Sequence, residues 1–212
     1  MVITFPYAFG GKETPEHVEL GNLFVSVTRK YVPKAQIVQM SDEETAEIKG
    51  VDSVFRLKTP PLTGNPTRHR AAPGIAFAEW YFDAMMAFPA ERFLRADYDV
   101  MIREDVSDVF HSAVFDIAIA KEHNGRMNNG IVFVRNKDVF LAAKEAYAQT
   151  TRDNWQDVQT AMQRVIDSGE FRVKKLPETY NTIYGGERAI PSEVKILHFK
   201  GARKGAMLDL FK

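Results

Sequence analysis

The chain has 212 residues, 45% of them hydrophobic, which is enough to form the core of one large domain or two small ones. Its 28 basic and 28 acidic side chains cancel, so a nucleic-acid binder with a global basic field is not expected. Cysteine is absent, which excludes disulfides, thiolate metal sites and cysteine nucleophiles and suits a reducing compartment. No apolar stretch approaches the roughly 20 residues of a membrane span, and the N-terminus lacks the basic region of a signal peptide. These features predict a cytoplasmic protein.

The first part of the chain is predicted to alternate strands with a helix. Pro15 suits the first turn of a helix, apolar side chains recur at helical spacing as far as Tyr31, and Pro33 ends the pattern. A strand–helix–strand beginning favours a parallel sheet with right-handed crossovers. The strands are predicted over residues 2–5, 36–40 and 53–57.

The remainder of the chain continues this α/β pattern after a proline-rich loop over residues 58–73. The fold class predicted is α/β, with a mostly parallel central sheet flanked by helices. Ligands of such sheets bind at the carboxyl ends of the strands. Helices are predicted over residues 74–88, 138–148 and 155–166, and strands over residues 114–120, 130–134, 171–173 and 194–199. The segment 93–102 is predicted to contain a buried strand that ends in a pair of carboxylates.

Two aspartates, Asp97 and Asp99, lie between two apolar runs in the segment 93–102. Residues two apart on a strand point to the same side, so at a strand end their carboxylates can converge on one hard cation. A cation held by only two carboxylates would have coordination sites left for a phosphate. A lone Asp-x-Asp is a weak motif, because it also arises by chance.

Further segments follow the Asp-x-Asp in a set order, over residues 116–122, 127–133, 155–162, 176–181 and 196–201, with Lys204 behind the last. Together they resemble GT-A-fold glycosyltransferases, in particular the glycogenin and lipopolysaccharide-galactosyltransferase-like group, over about residues 1–205. The resemblance implies one GT-A-like domain over residues 1–212. Its nucleotide-binding half would be residues 1–102, and residues 103–212 would form the donor-sugar and acceptor half.

The resemblance also implies a metal site. Asp97 and Asp99 match the aspartates that bind a divalent cation, Mn²⁺ or Mg²⁺, which bridges the nucleotide diphosphate; Asp99 is the more direct ligand and is assigned to catalysis. His198 matches a further metal ligand, although a lone histidine at a strand end is more often part of a core. Lys204 matches the lysine that contacts the diphosphate, and Gly201 would let the backbone approach the phosphates closely.

At the donor sugar, the resemblance implies roles for Asn129 and Gln159. Asn129 is equally well explained as part of a turn, because it precedes a glycine. Gln159 matches a family glutamine that has an acidic neighbour, but here Val158 precedes it. Asp157, one position earlier, is better explained as part of a helix cap.

At the nucleotide, three residues are candidates on the same resemblance. Tyr7 follows the first strand, where the family binds the base, and could stack on uracil. Arg68, or Arg70 as its alternative, lies in the proline-rich loop and could pair with phosphate through its planar guanidinium. Asp42 follows the second strand and could accept a hydrogen bond from base or ribose. For each residue a purely structural role is equally consistent with the sequence.

The function predicted is therefore metal-dependent transfer of a sugar from a nucleotide diphosphate, a UDP-sugar for preference, to an acceptor that the sequence does not identify. Retention of configuration follows from the resemblance alone. The chain is short, so a second subunit of a homo-oligomer could supply part of the acceptor platform. One alternative is a degenerate GT-A-like binding module, because Gly205 and Ala206 replace the family's Pro-Trp. Another is a nucleotidyltransferase, for which Gly10, Gly11 and Lys12 are a faint signal.

Overall fold

The computed structural model describes residues 1–58, 73–111, 114–121, 127–150, 156–186 and 190–210. Helices in these ranges are α1 (Pro15–Tyr31), α2 (Pro73–Ala87), α3 (Asp108–His111), α4 (Asp138–Ala148), α5 (Gln156–Ser168) and α6 (Lys204–Asp209). Strands are β1 (Val2–Pro6), β2 (Gln36–Ser41), β3 (Ser53–Arg56), β4 (Phe93–Ala96), β5 (Val100–Ile102), β6 (Ile117–Lys121), β7 (Met127–Val134), β8 (Val173–Leu176), β9 (Thr182–Ile183) and β10 (Ile196–His198).

Seven of these strands form the central sheet, in the order β3-β2-β1-β4-β7-β6-β8. The pairs β3–β2, β2–β1, β1–β4 and β6–β8 are parallel, and only β7 runs antiparallel to its two neighbours. The prediction of a mostly parallel sheet flanked by helices is confirmed. Because β7 runs the other way, its first residues lie at the edge where β1, β2 and β4 end.

Both faces of the central sheet are buried, because apolar side chains alternate between two cores. Along β7, Ile131 and Phe133 belong to one core, and Val132 and Val134 belong to the other. The first core also contains side chains of α1, β5, β10 and α6, and the second contains side chains of α2, α4 and α5. Helices on both faces are what a largely parallel sheet requires.

Helix α1 begins as its sequence predicts. Thr14 caps the helix: its hydroxyl accepts from the amide of His17, and the imidazole of His17 accepts from the amide of Thr14, both at 3.3 Å. Pro15 occupies the first turn, where a missing amide proton costs no hydrogen bond. The cap places His17 beside the loop that leaves β1.

A second, three-stranded sheet in the order β5-β10-β9 lies at the end of β4. The strand end predicted at Asp97 and Asp99 is confirmed, because β4 and β5 lie one in each sheet and are joined by residues 97–99. Strand β10 is antiparallel to β5, with His198 opposite Val100. The corner between β4 and β5 thus brings the Asp-x-Asp segment next to a histidine about one hundred residues along the chain.

Most predicted elements are confirmed, with shifted ends in the second half. The strand predicted over residues 171–173 begins only at Val173, and β7 begins at Met127, three residues before the predicted start. The tail after Gly201 forms α6, which was not predicted. Most of the predicted loop over residues 58–73 is outside the described residues. No helix in the described ranges combines the length and apolarity needed to cross a membrane.

Candidate functional site

Backbone hydrogen bonds fix the corner that carries Asp97 and Asp99. The amide of Asp97 donates to the carbonyl of Gly130 on β7 at 2.7 Å, and the amide of Phe199, after β10, donates to the carbonyl of Asp99 at 2.9 Å. Both aspartates are thus held by neighbouring strands, one from each sheet. Rigid elements place functional side chains more accurately than free loops do.

The side chains of Asp97, Asp99 and His198 converge at this corner. One ligand atom from each lies within 4.8 Å of the others, and within the described residues no other group of three or more such side chains comes together. Nε2 of His198 lies 3.7 Å from Oδ2 of Asp97 and 3.4 Å from Oδ1 of Asp99. Two carboxylate oxygens and an imidazole nitrogen suit Mn²⁺, and the 33% exposure of the Asp97 side chain leaves one side open for further ligands.

Two cationic side chains neutralise the two aspartates. Nζ of Lys204 lies 3.0 Å from Oδ2 of Asp99, 3.3 Å from the hydroxyl of Tyr98 and 4.8 Å from the centre of its ring. Nη2 of Arg95 lies 2.5 Å from Oδ1 of Asp97, and the Arg95 side chain is only 2% exposed. The four formal charges sum to zero, so the corner is electrically balanced before any cation is added.

These contacts hold the charged forms of Asp99 and Lys204. Burial raises the pKa of Asp99, but the hydrogen bond from His198 and the nearby Lys204 outweigh burial and lower it to about 2. Burial likewise lowers the pKa of Lys204, but Asp99 and Tyr98 outweigh it and raise the pKa above its ordinary value. At neutral pH the pair is therefore a carboxylate and an ammonium group.

The ring of His198 packs against Gly130 and Asn181. A Cβ atom at Gly130 would overlap Cε1 of the ring and lie 2.8 Å from Nδ1, so only glycine fits there. Nδ1 of the ring also lies 3.0 Å from Oδ1 of Asn181. Gly130 is itself held, because its amide donates to Oδ1 of Asn128 at 2.7 Å.

Asn129, predicted at the donor sugar, is adjacent to this group. Its residue is only 7% exposed, and neither its side-chain oxygen nor its nitrogen has a hydrogen-bond partner among the described residues. Its backbone carbonyl accepts from the guanidinium of Arg95. Buried amides usually have partners, so this one has bonding capacity left for a ligand. Its role at a sugar stays a prediction.

Gln159, also predicted at the sugar, contacts the backbone in this structure. Its Nε2 donates to the carbonyl of Met127 at 2.8 Å, and Oε1 of Gln163, one turn later on α5, accepts from the amide of Met127 at 3.1 Å. The two glutamines therefore anchor the start of β7, two residues before Asn129. A role of Gln159 at the donor stays a prediction. Val158 is buried in the core, and the rest of the predicted cap before Asp157 lies outside the described residues.

The prediction that Tyr7 stacks on a base needs correction. Tyr7 is only 1% exposed, because its ring packs edge-on against Phe9 and Tyr98 and leaves no open face. Burial also raises the pKa of its hydroxyl. The next aromatic along the chain, Phe9, is half-buried and stacks on His17, with ring centres 4.4 Å apart and planes at 20°. This pair is the accessible aromatic surface after β1.

The prediction that Asp42 binds base or ribose also needs correction. Its Oδ1 accepts from the amides of Glu44 and Thr45, and its Oδ2 accepts from the amide of Gly10 and the hydroxyl of Thr45. Burial raises the pKa of Asp42, but these four bonds lower it overall. With both oxygens saturated and the residue 1% exposed, Asp42 supports the loop after β1. The same network reaches Phe9, whose amide donates to the Thr45 hydroxyl.

Gly201 has a conformational role. Its φ is +67°, and the residue begins the turn that leads to Lys204. Apart from its neighbours in the chain, no atom of the described residues lies within 4 Å of the position that a Cβ atom would take. A left-handed residue is needed at this point, and close packing is not the reason for glycine. Arg68 lies outside the described residues.

Sequence reasoning missed Arg95, Tyr98 and Asn181. Arg95 had a signal, because it is the one charged residue in an otherwise apolar strand, and such a charge needs a buried partner. Tyr98 is the middle residue of the Asp-x-Asp and received no role. Asn181 belongs to one of the matched segments, but nothing in the sequence connects it to a particular partner.

Comparison with known proteins identifies the fold. No protein-family model matches the sequence, and no curated protein is similar to it in sequence. The galactosyltransferase LgtC, solved with donor and acceptor sugar analogues, aligns with a TM-score of 0.65 and 11% identity, over 95% of this chain and 88% of its own. A glycosyltransferase involved in glycosylation of the major capsid of PBCV-1 aligns over all of both chains, with a TM-score of 0.60 and 17% identity. Mouse xyloside xylosyltransferase 1 aligns over 92% of this chain and 96% of its own, with a TM-score of 0.58 and 12% identity. The chain has the GT-A glycosyltransferase fold, as the motif order predicts.

Proposed function

We propose that this protein is a metal-dependent glycosyltransferase that moves a sugar from a nucleotide diphosphate, UDP for preference, to an acceptor hydroxyl. One observation carries the proposal: Asp97, Asp99 and His198 converge at the carboxyl end of β4, beside Lys204, in a GT-A fold. This is the edge at which open α/β sheets bind ligands. Residues 1–102 would bind the nucleotide, and residues 103–212 would bind the sugar and acceptor.

The donor set fits a divalent cation. Asp97, Asp99 and His198 would hold Mn²⁺ or Mg²⁺, which when bound neutralises the charge that develops on the departing diphosphate. Lys204 supports the same charge from the protein side. Its Nζ is already held by Asp99 and Tyr98, and its side chain is 32% exposed. Lys204 can therefore donate to a phosphate oxygen without first changing its rotamer.

The free amide of Asn129 is suited to the hydroxyls of the donor sugar, and Gln159 fixes the strand on which Asn129 lies. We assign retention of configuration by analogy with the group that the sequence resembles. In that mechanism the acceptor hydroxyl attacks the anomeric carbon from the side of the leaving group, and its proton passes to the departing phosphate oxygen. No side-chain base is then needed.

The base of the nucleotide would lie against Phe9 and His17, which form the accessible aromatic surface at the end of β1. Aromatic side chains contact bases through their faces, and this pair lies beside the loop that Asp42 supports. Asp97, Asp99 and His198 together are called the cation cluster. Tyr98 connects the aromatic surface to it, because the ring of Tyr98 lies 6.2 Å from that of Phe9 and its neighbours in the chain are the two aspartates.

Release of the nucleotide diphosphate tests the proposal. The full chain is incubated with UDP-glucose, UDP-galactose and UDP-xylose, with Mn²⁺ or with chelator, and the UDP released by transfer to water is measured. Release that requires the cation and falls at least about 100-fold in Asp99→Asn supports the proposal. The matched control is Asp167→Asn, an exposed carboxylate that accepts from Gln163 on the surface of α5. If no nucleotide sugar is turned over and none of UDP, GDP, CDP or ADP binds with the cation, a binding module with the GT-A fold replaces the transferase.

A further inference from the structure

The orientation of His198 determines what it can offer a cation. An imidazole that binds a metal through Nε2 must carry its proton on Nδ1, and in proteins a hydrogen bond at Nδ1 usually selects that form. The group that accepts a hydrogen bond from Nδ1 therefore helps to select the form of His198 that can bind a cation.

Asn181 supplies that acceptor. Its Oδ1 lies 3.0 Å from Nδ1 of His198, and both residues are buried, at 1% and 2% exposure. A carboxamide oxygen only accepts hydrogen bonds, so the contact requires the proton on Nδ1. Nε2 faces Asp97 and Asp99, at 3.7 Å and 3.4 Å. Its lone pair is what a cation bound there would take in place of the hydrogen bond to Asp99.

A backbone hydrogen bond and the pairing of β9 with β10 fix the positions of Asn181 and His198 relative to each other. The amide of Asn181 donates to the carbonyl of Glu178 at 2.8 Å, and β9 begins at the next residue. In β9, Ile183 pairs with His198 in the parallel ladder with β10. The Asn181 side chain is therefore placed by secondary structure, and Gly130 packs closely against Cε1 and Nδ1 of the imidazole.

We propose that Asn181 is a positioning residue that holds His198 in the Nδ1–H tautomer and thereby makes Nε2 available to the cation site. The inference rests on the proposed function in one respect, that Asp97, Asp99 and His198 bind a divalent cation. Asn181 itself contacts the ring and is assigned no contact with substrate.

Calorimetric titration with Mn²⁺ tests this on the full chain. Asn181→Leu keeps the approximate size and removes the acceptor, and it should weaken Mn²⁺ binding about 10- to 100-fold. Asn181→Asp restores an acceptor and should bind Mn²⁺ at least as tightly as the unchanged chain. Asn22→Leu is the matched control, because Asn22 accepts from the amide of Lys49 at an exposed position; it should leave the affinity unchanged.

The outcomes separate the inference from the proposed function. Equal Mn²⁺ affinity in the unchanged chain and in folded Asn181→Leu would overturn the inference and leave the function intact. Failure of the unchanged chain to bind Mn²⁺ or Mg²⁺ would remove the cation from the proposed function and the inference with it.

A spectroscopic measurement on the unchanged chain covers the case in which Asn181→Leu does not fold. Long-range ¹H–¹⁵N spectra with saturating Mg²⁺ report which ring nitrogen carries the proton, and the His198 signals are assigned by their loss in His198→Gln. We expect a protonated Nδ1 and an unprotonated Nε2. A proton on Nε2 in the Mg²⁺-loaded protein would overturn the inference.

Discussion

Gly130 and His198 pack so closely that position 130 has no room for a side chain, although the two residues lie in different sheets. A Cβ atom there would lie 2.8 Å from Nδ1 of the ring, which is closer than real contacts allow. The glycine on β7 thus sets the position of the histidine on β10, and with it the geometry of the cation cluster. This contact connects the sequence motif around residue 130 to the chemistry at residue 198.

The first prediction follows from this contact. Gly130→Ala should push His198 away from Asp97 and Asp99 and weaken Mn²⁺ binding about 10- to 100-fold, measured by calorimetry. Gly185→Ala is the control, because within the described part of the chain no atom beyond its neighbours lies within 4 Å of a Cβ atom there, and the affinity should not change. Unchanged Mn²⁺ affinity in a folded Gly130→Ala protein would show that His198 does not depend on this contact.

The second prediction separates the two roles of Lys204. Lys204→Ala removes the cation that neutralises Asp99, so Mn²⁺ alone should bind more tightly, while UDP release should slow by about 100- to 1,000-fold. Both are measured on the same preparation. Lys200→Ala, four residues earlier at an exposed position, should change neither. Weaker binding of Mn²⁺ in Lys204→Ala would contradict the charge-compensation argument.

The third prediction concerns Arg95 as a buried counter-charge. Arg95→Met leaves Asp97 without its partner and should lower the free energy of unfolding by about 2–4 kcal/mol. This loss is near the lower end of the range for broken buried pairs, because the Asp97 side chain is one-third exposed. Denaturant titration measures the loss. Lys144→Met breaks the partly exposed pair with Asp83 and should cost less than about 1 kcal/mol. Similar losses in the two variants would mean that burial of Arg95 is not what matters.

The fourth prediction is a pH dependence of stability at Asp116, far from the cation cluster. Hydrogen bonds from Arg172 lower the pKa of Asp116 to about 2, against the smaller opposing effect of burial. Because the folded pKa lies below the unfolded value of about 3.9, the stabilisation is complete above about pH 4 and is lost as the pH falls towards about 2.

Asp116→Asn should therefore unfold at lower denaturant concentration than the unchanged chain at about pH 7, and the difference should shrink between about pH 4 and about pH 2. Denaturant titrations across this range measure it. A difference that stays constant throughout the range would show that the Asp116–Arg172 bonds do not depend on the ionised carboxyl.

The sequence predicted the parts of the site that depend on local pattern. Apolar runs on either side of Asp97 and Asp99 indicated a strand end, and the structure has one there. The convergence with His198 followed from resemblance, since only the pairing of β5 with β10 brings these residues together.

The incorrect predictions have local reasons that the sequence contained. Ile3, Phe5 and Tyr7 alternate with period two, so Tyr7 continues the face that Ile3 and Phe5 bury in the core. Asp42 is followed by polar residues. An aspartate in a turn commonly accepts hydrogen bonds from the backbone amides two and three residues later, as Asp42 does here. Asn181 had no such local signal, because its partner is placed by the small sheet.

The most direct test of the central claim is calorimetric titration of UDP into the full chain, with saturating Mn²⁺ and then with chelator, beside Asp99→Asn. We predict binding that requires Mn²⁺ and is lost in the variant, because Asp99 is the carboxylate that both His198 and Lys204 approach. Equal UDP binding with and without the cation, or equal binding by Asp99→Asn and the unchanged chain, would contradict a metal-bridged diphosphate site at this corner.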